Sequence, residues 1–225
     1  MPWDQWIRAA EIEPSLYAAD FSQLGDQIDV LARAGARIFH FDIGDGHFVP
    51  PITAGPIVLQ WISPIIHRHG GAVDCHLMIQ HPERHFGAIA EAGGDSVTFH
   101  FEAVEDVPAT VRAAREHELE VGLAFNPETN PEDAAAVADG VDVVLCMSIH
   151  PGYSGQKLMP EALGRVERLR TLLPDGVHLQ VDGGVDHTNV GPLRAAGANL
   201  AVAGTAIFGA EDLPRAYLRL ARAFA

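Results

Sequence analysis

A (β/α)8 barrel is the fold the sequence predicts, with residues 1–225 forming one domain. Three observations carry that reading. Eight apolar strand-like runs alternate along the chain with segments of helical pattern. The run from Val141 to Ile149 is almost wholly apolar, as a strand covered on both faces should be. A doubly wound open sheet is the competing architecture, and the chain lacks its glycine fingerprint at the first strand-to-helix turn.

The elements follow in order. Glu11 to Tyr17 reads as the first strand, and Asp20 can cap a helix from Phe21 to Ala34 that Gly35 stops. Arg37 to Ile43 is a β-branched and aromatic second strand, closed by Asp45-Gly46, with Pro50-Pro51 stiffening the loop. Pro56 to His67 carries an apolar stripe and reads as helix, with Pro64 expected to kink or shorten it. Ala72 to Ile79 is the third strand, and Pro82 opens a helix that Gly93-Gly94 ends. Asp95 to Phe101, Val121 to Phe125, Val141 to Ile149, Val177 to Val181 and Asn199 to Ala203 continue the strands. Helices are expected at 107–118, 131–138, 160–172, 188–196 and 213–224.

Composition limits the function. The net charge of −15, from 15 basic and 30 acidic side chains, argues against nucleic acid or an anionic membrane as partner. No apolar run approaches the length of a membrane span, and Met1 to Trp6 lacks the features of a secretory signal. Cys75 and Cys146 each sit inside an apolar run and read as buried free thiols of a reducing compartment, so the expected location is the cytoplasm. Lys157 is the single lysine and falls in a loop, which leaves Schiff-base chemistry one poorly placed candidate.

In a barrel of this kind, functional groups gather at the carboxyl ends of the strands. Ser15 ends the first strand, His40 and Asp42 the second, and His76 with Met78 the third. His100 and Glu102 end the fourth, Met147 the sixth and Asp182 the seventh. Residues two apart on a strand share a face, so His40 and Asp42 project together. Taken alone, that pair is explained equally well by a buried His–Asp hydrogen bond shaping the turn. With His76 and Asp182 at the same rim, the four form a mixed N/O set suited to one divalent cation. Zn²⁺ comes first, with Fe²⁺, Mn²⁺ or Co²⁺ as alternatives.

Three glycine-rich turns share the rim: Pro151-Gly152-Tyr153-Ser154-Gly155-Gln156, Asp182-Gly183-Gly184-Val185 and Ala203-Gly204-Thr205-Ala206. Strand-to-helix turns commonly use glycine. As a set after strands six, seven and eight, however, they read as a phosphate site built from backbone N–H groups and the Thr205 hydroxyl.

Over nearly its whole length the chain resembles the ribulose-phosphate 3-epimerase family. The resemblance runs through Pro14–Phe21, His40–Pro50, His76-Leu77-Met78-Ile79, Pro82-Glu83-Arg84, Met147-Ser148-Ile149, the Pro151–Gln156 turn, Val181–Val185 and Ala203–Phe208. It implies that His40, Asp42, His76 and Asp182 bind one divalent metal. It further implies that Asp42 and Asp182 exchange protons on opposite faces of C3 of a 2-keto sugar phosphate. The implied reaction interconverts D-ribulose 5-phosphate and D-xylulose 5-phosphate through a metal-stabilised enediolate. Ser15 and His76 would contact the polar end of the substrate, Met78 and Met147 would shield the flat intermediate, and the three glycine turns would hold the phosphate. The family also implies a homo-oligomer.

Departures from the family pattern modify the expectation. Gly44 stands where the family has a methionine cap, which predicts open space near C3, so that the pocket either admits a larger ketose phosphate such as D-allulose 6-phosphate or runs the usual reaction less efficiently. Ser154 replaces a glycine of the phosphate turn, a strained choice if that position takes positive φ. Pro51 replaces an asparagine. A phosphate-barrel decarboxylase or aldolase would place a lysine on a strand, and none is there. A non-catalytic sugar-phosphate binder would have little use for both carboxylates and both imidazoles. His47 and His100 fall near the mouth without an assigned role; His67, His69, His81, His85, His117 and His187 are expected to be solvated, and His178 starts a strand away from the rim.

Overall fold

Strand side chains point alternately to one face and the other, and the two faces of this sheet meet different surroundings. A computed structural model describes residues 3–225. Its strands are β1 (Glu11–Pro14), β2 (Ile38–Gly44), β3 (Ala72–Met78), β4 (Ser96–His100), β5 (Glu120–Phe125), β6 (Val143–Met147), β7 (His178–Asp182) and β8 (Leu200–Ala203). All pair in parallel, in the order β1-β8-β7-β6-β5-β4-β3-β2. A single parallel bridge, Ser15 to His40, joins the two ends of the sheet and completes the (β/α)8 barrel.

The helices are α1 (Trp3–Trp6), α2 (Leu24–Arg33), α3 (Pro56–His67), α4 (Phe86–Glu91), α5 (Val107–Arg115), α6 (Pro131–Ala136), α7 (Ala162–Leu172), α8 (Val190–Ala195), α9 (Thr205–Phe208) and α10 (Leu213–Phe224). Outward strand residues such as Phe39, Phe41, Val73, Leu77, Phe99 and Val181 pack with helix residues such as Ile28, Leu59, Ile89 and Val166 in one continuous core. The opposite parity faces the lumen and is graded along its height. Ile38, Ala72, Val143 and Leu200 form an apolar floor, closed from below by Trp3, Trp6 and Ile7. Above it, Glu13, Asp74 and Gln180 make a fully buried polar layer. His40 and His76 lie above that, and the strand ends open at the top.

Several local expectations change. The first strand ends at Pro14, because Leu16–Ala18 turns into a 3-10 helix. Asp20 caps a short 3-10 turn, Phe21–Gln23, by accepting from the Ser22 N–H, and α2 begins only afterwards. Pro64 does not shorten α3, which runs over the full expected range. The floor helix α1 and the four-residue α9 were not anticipated. His67 and His69 are not simply solvated: they bond Asp95 and Asp29 at 2.8 Å each. Cys75 and Cys146 are free and buried. Among the described residues, no helix is long and apolar enough to cross a membrane.

Candidate active site

The strand register sets the site. Asp42 on β2 pairs with His76 on β3, and Met147 on β6 pairs with Asp182 on β7. His40, Asp42, His76 and Asp182 offer ligand atoms that all lie within 4.8 Å of one another. His76 Nδ1 is 3.0 Å from Asp42 Oδ1 and 3.9 Å from Asp182 Oδ2, while His40 Nε2 is 3.3 Å from Asp42 Oδ1. Ser15 donates its hydroxyl to Asp42 Oδ2 at 2.9 Å.

Behind these groups, the polar layer orients His40. Its Nδ1 lies 3.0 Å from Asp74 Oδ2 and 3.7 Å from Glu13 Oε2. Asp74 also accepts from Ser96, Thr98 and Gln180, and Gln180 donates to Glu13 at 2.7 Å. An acceptor-only carboxylate at Nδ1 takes that ring proton, which leaves Nε2 bare; the tautomer is assigned from the network. His40 Nε2 is fully buried, has no hydrogen-bond partner and faces a carboxylate. An orphaned ring nitrogen among two carboxylates and a second imidazole is what a divalent cation with N and O ligands requires, so the residues present fit that group.

The electrostatics divide the two site carboxyls. Burial would lift Asp42, but attraction from the adjoining His40 ring, and after it from His76, outweighs that and holds Asp42 well below the usual range. Burial, followed by repulsion from Asp42, pushes Asp182 up to about 7. Such a pair, one carboxyl held ionised and the other inclined to keep its proton, is the pattern of a base facing an acid. Burial pulls His100 down to about 4, so it stands as a neutral imidazole.

A small cleft opens above the cluster. Its lining includes Ser15, Asp42, Met78, Met147 and Asp182 together with Gly152, Tyr153, Ser154, Gly155, Gly183, Gly184, Gly204 and Thr205 of the glycine turns. The expected substrate-contacting residues therefore share one cavity, except His76, which with His40 is fully buried beneath its floor. Gly184 shows why the turn needs glycine. At φ +66°, a Cβ there would lie 2.2 Å from the Leu158 backbone N. Thr205 opens α9 beside Gly204.

Two expectations from the departures are corrected. Gly44 opens no space: a Cβ there would meet the Pro51 carbonyl oxygen and Val49 Cγ2, each at 2.9 Å, because the loop after β2 folds onto that spot. Ser154 is not strained, since His81 and Glu118 are the non-glycine residues with positive φ among those described. Sequence reasoning also passed over Tyr17, which lines the cleft and donates to the Gly152 carbonyl at 3.2 Å. The supporting residues Glu13, Asp74 and Gln180 were missed too. All three sit two positions before a rim residue, on the same strand parity, and that spacing could have revealed them.

Comparison with known proteins decides the family. The profile of the ribulose-phosphate 3 epimerase family matches residues 11–208. The chain belongs to this family. It is 39% identical over 206 residues to ribulose-phosphate 3-epimerase of Escherichia coli strain K12, covering 89% of this chain and 90% of that protein. It is 38% identical over 206 residues to the Serratia marcescens enzyme of the same name, covering 89% and 96%. Orotidine 5'-phosphate decarboxylase from Pyrococcus horikoshii OT3 shares the fold, with TM-score 0.69 and 18% identity over 95% of this chain and 98% of that one. As a member of the epimerase family, the chain is an isomerase-class enzyme acting on carbohydrates.

Proposed function

We propose that this epimerase-family chain interconverts D-ribulose 5-phosphate and D-xylulose 5-phosphate by moving a proton at C3. The observation that carries the reading is the convergence of Asp42 and Asp182 on one cleft, within 4.8 Å of His40 and His76. A proton next to a ketone is too weakly acidic for an unaided carboxylate to remove quickly. A divalent cation held by His40, Asp42, His76 and Asp182 supplies Lewis-acid polarisation of the ketone and adjacent hydroxyl oxygens; Zn²⁺ suits that donor set.

The chain's own residues do the rest. Asp42, as carboxylate, takes the C3 proton from one face, and Asp182, as carboxylic acid, gives its proton to the opposite face. One carboxyl is protonated before and after, so the reverse direction uses the same pair with roles exchanged. Ser15 holds Asp42 Oδ2 in place. Met78 and Met147 are almost fully buried and put apolar surface beside the flat intermediate, where it excludes water. The glycine turns at 152–155, 183–184 and 204–205 provide the close backbone approach that a phosphate needs.

The test is incubation of the Zn²⁺-loaded protein with D-ribulose 5-phosphate in deuterated water. The expected product is xylulose 5-phosphate carrying deuterium at C3, because the Asp182 proton exchanges with solvent. Unconverted, unlabelled sugar with metal bound would overturn the reading. The six-carbon alternative loses its one support, since the space at Gly44 is filled.

A further inference from the structure

A chain of polar contacts leads away from His76 toward the end of β4. His76 Nε2 lies 2.8 Å from His100 Nε2, and His100 Nδ1 lies 3.3 Å from Glu102 Oε2. Glu102 Oε1 accepts from the Asn126 backbone N–H at 2.7 Å and from the Thr129 hydroxyl. The two rings lie edge to edge, tilted by 22° with centroids 5.0 Å apart, and the Phe48 ring packs on His100 at 4.7 Å. His76 and His100 are both fully buried.

The direction of each bond follows from its end. Glu102, already accepting from Asn126 and Thr129, is a carboxylate with acceptor oxygens only, so it takes the Nδ1–H of His100. A neutral imidazole that donates at Nδ1 has only a lone pair left at Nε2. His76 must then supply the proton of the 2.8 Å contact from its own Nε2. Its Nδ1 is left bare, and that atom faces Asp42 Oδ1 and Asp182 Oδ2. Without the relay, the natural arrangement would be the reverse, with Nδ1–H donating to Asp42 and the ring closed to any cation.

We propose that His100 and Glu102 are positioning residues that hold His76 as its Nε2–H tautomer and so present Nδ1 to a divalent cation. The proposal rests on the reading of His40, Asp42, His76 and Asp182 as the cation site. It assigns His100 no contact with substrate; the pair acts through His76. A metal-ligating histidine whose second nitrogen is fixed from behind is both better oriented and more basic, and loss of such a partner typically weakens metal binding 10- to 100-fold. Here the fixing group is an imidazole backed by a carboxylate.

Two measurements test this on the full chain. The first is the imidazole ¹⁵N spectrum of the metal-free parent, which needs no substitution. Nε2–H on His76 is the expected result, and Nδ1–H would overturn the proposal. The second is competition for Zn²⁺ against a chelating dye. Glu102→Gln, near-isosteric, and His100→Phe, which keeps an aromatic ring against Phe48, should each weaken Zn²⁺ binding about 10- to 100-fold. His100→Gln, whose amide oxygen can still accept from His76, should recover part of that loss. At saturating Zn²⁺, Glu102→Gln should regain its kcat with KM little changed. Affinities within twofold of the parent in both His100→Phe and Glu102→Gln would overturn the pairing. A parent that binds no Zn²⁺ at all would instead overturn the proposed function, and the metal-free spectrum would still decide the tautomer.

Discussion

His40 Nδ1 lies 3.0 Å from Asp74 Oδ2 in the middle of the barrel lumen, and the opposite nitrogen of the same ring turns toward Asp42. Asp74 thereby sets which nitrogen of His40 is bare. Replacing it with asparagine keeps the volume but allows either end of the amide to face the ring. Asp74→Asn is expected to weaken Zn²⁺ binding about tenfold, measured by competition titration. Asp74→Ala should cost more, because it also strands the Ser96 and Thr98 hydroxyls and removes one of two acceptors of Gln180, for a loss of about 3 kcal/mol or more in denaturant unfolding.

Asp42→Asn and Asp182→Asn each remove one partner of the proposed proton transfer. Each is expected to lower deuterium exchange at C3 by at least ~100-fold. Retained exchange in either variant would remove that residue from its role. Ser15→Ala, which leaves both carboxyls of the proton transfer in place, should lower the rate far less.

Gly44 is expected to resist substitution. A Cβ there meets the Pro51 carbonyl oxygen and Val49 Cγ2 at 2.9 Å, and backbone cannot move aside as a side-chain tip can. Gly44→Ala should cost about 1–3 kcal/mol by denaturant unfolding, the usual penalty of overpacking. A neutral or stabilising result would mean that the loop after β2 does not press on this position.

The His67–Asp95 pair gives a pH dependence remote from the cleft. Its hydrogen bond to Asp95 raises His67 above the ordinary histidine value. The sign follows from linkage: the folded protein holds this proton more tightly than the unfolded chain does. The contribution is therefore complete below the unfolded value near 6.5 and fades as pH rises through the raised folded value. The ring is partly exposed, so the effect is small. His67→Ala should lower the melting temperature measurably at acidic pH, with the gap narrowing above neutrality.

The eight strands and four proposed ligands were legible because both follow local rules: period-two alternation and clustering of polar groups at strand ends. What lay hidden depended on cross-strand register or on loop paths. His100 was visible at the end of β4, but its bond to His76 spans 24 residues and needs the β3–β4 pairing to be known. Glu13 and Gln180, 167 residues apart, meet only when the barrel closes. The emptiness inferred at Gly44 failed for a similar reason, since the path taken by Val49 and Pro51 is not encoded in any periodicity. α1 was overlooked because four residues are too few for a helical pattern to register.

The joint between the first and last-paired edges of the sheet is Ser15 against His40, and Ser15 also holds Asp42. Closure of the cylinder and placement of the proposed base therefore share one residue. A chain whose terminal strands met out of step would be inert as well as ill-formed. Turnover in this protein thus doubles as a gauge of whether the circle has been correctly joined.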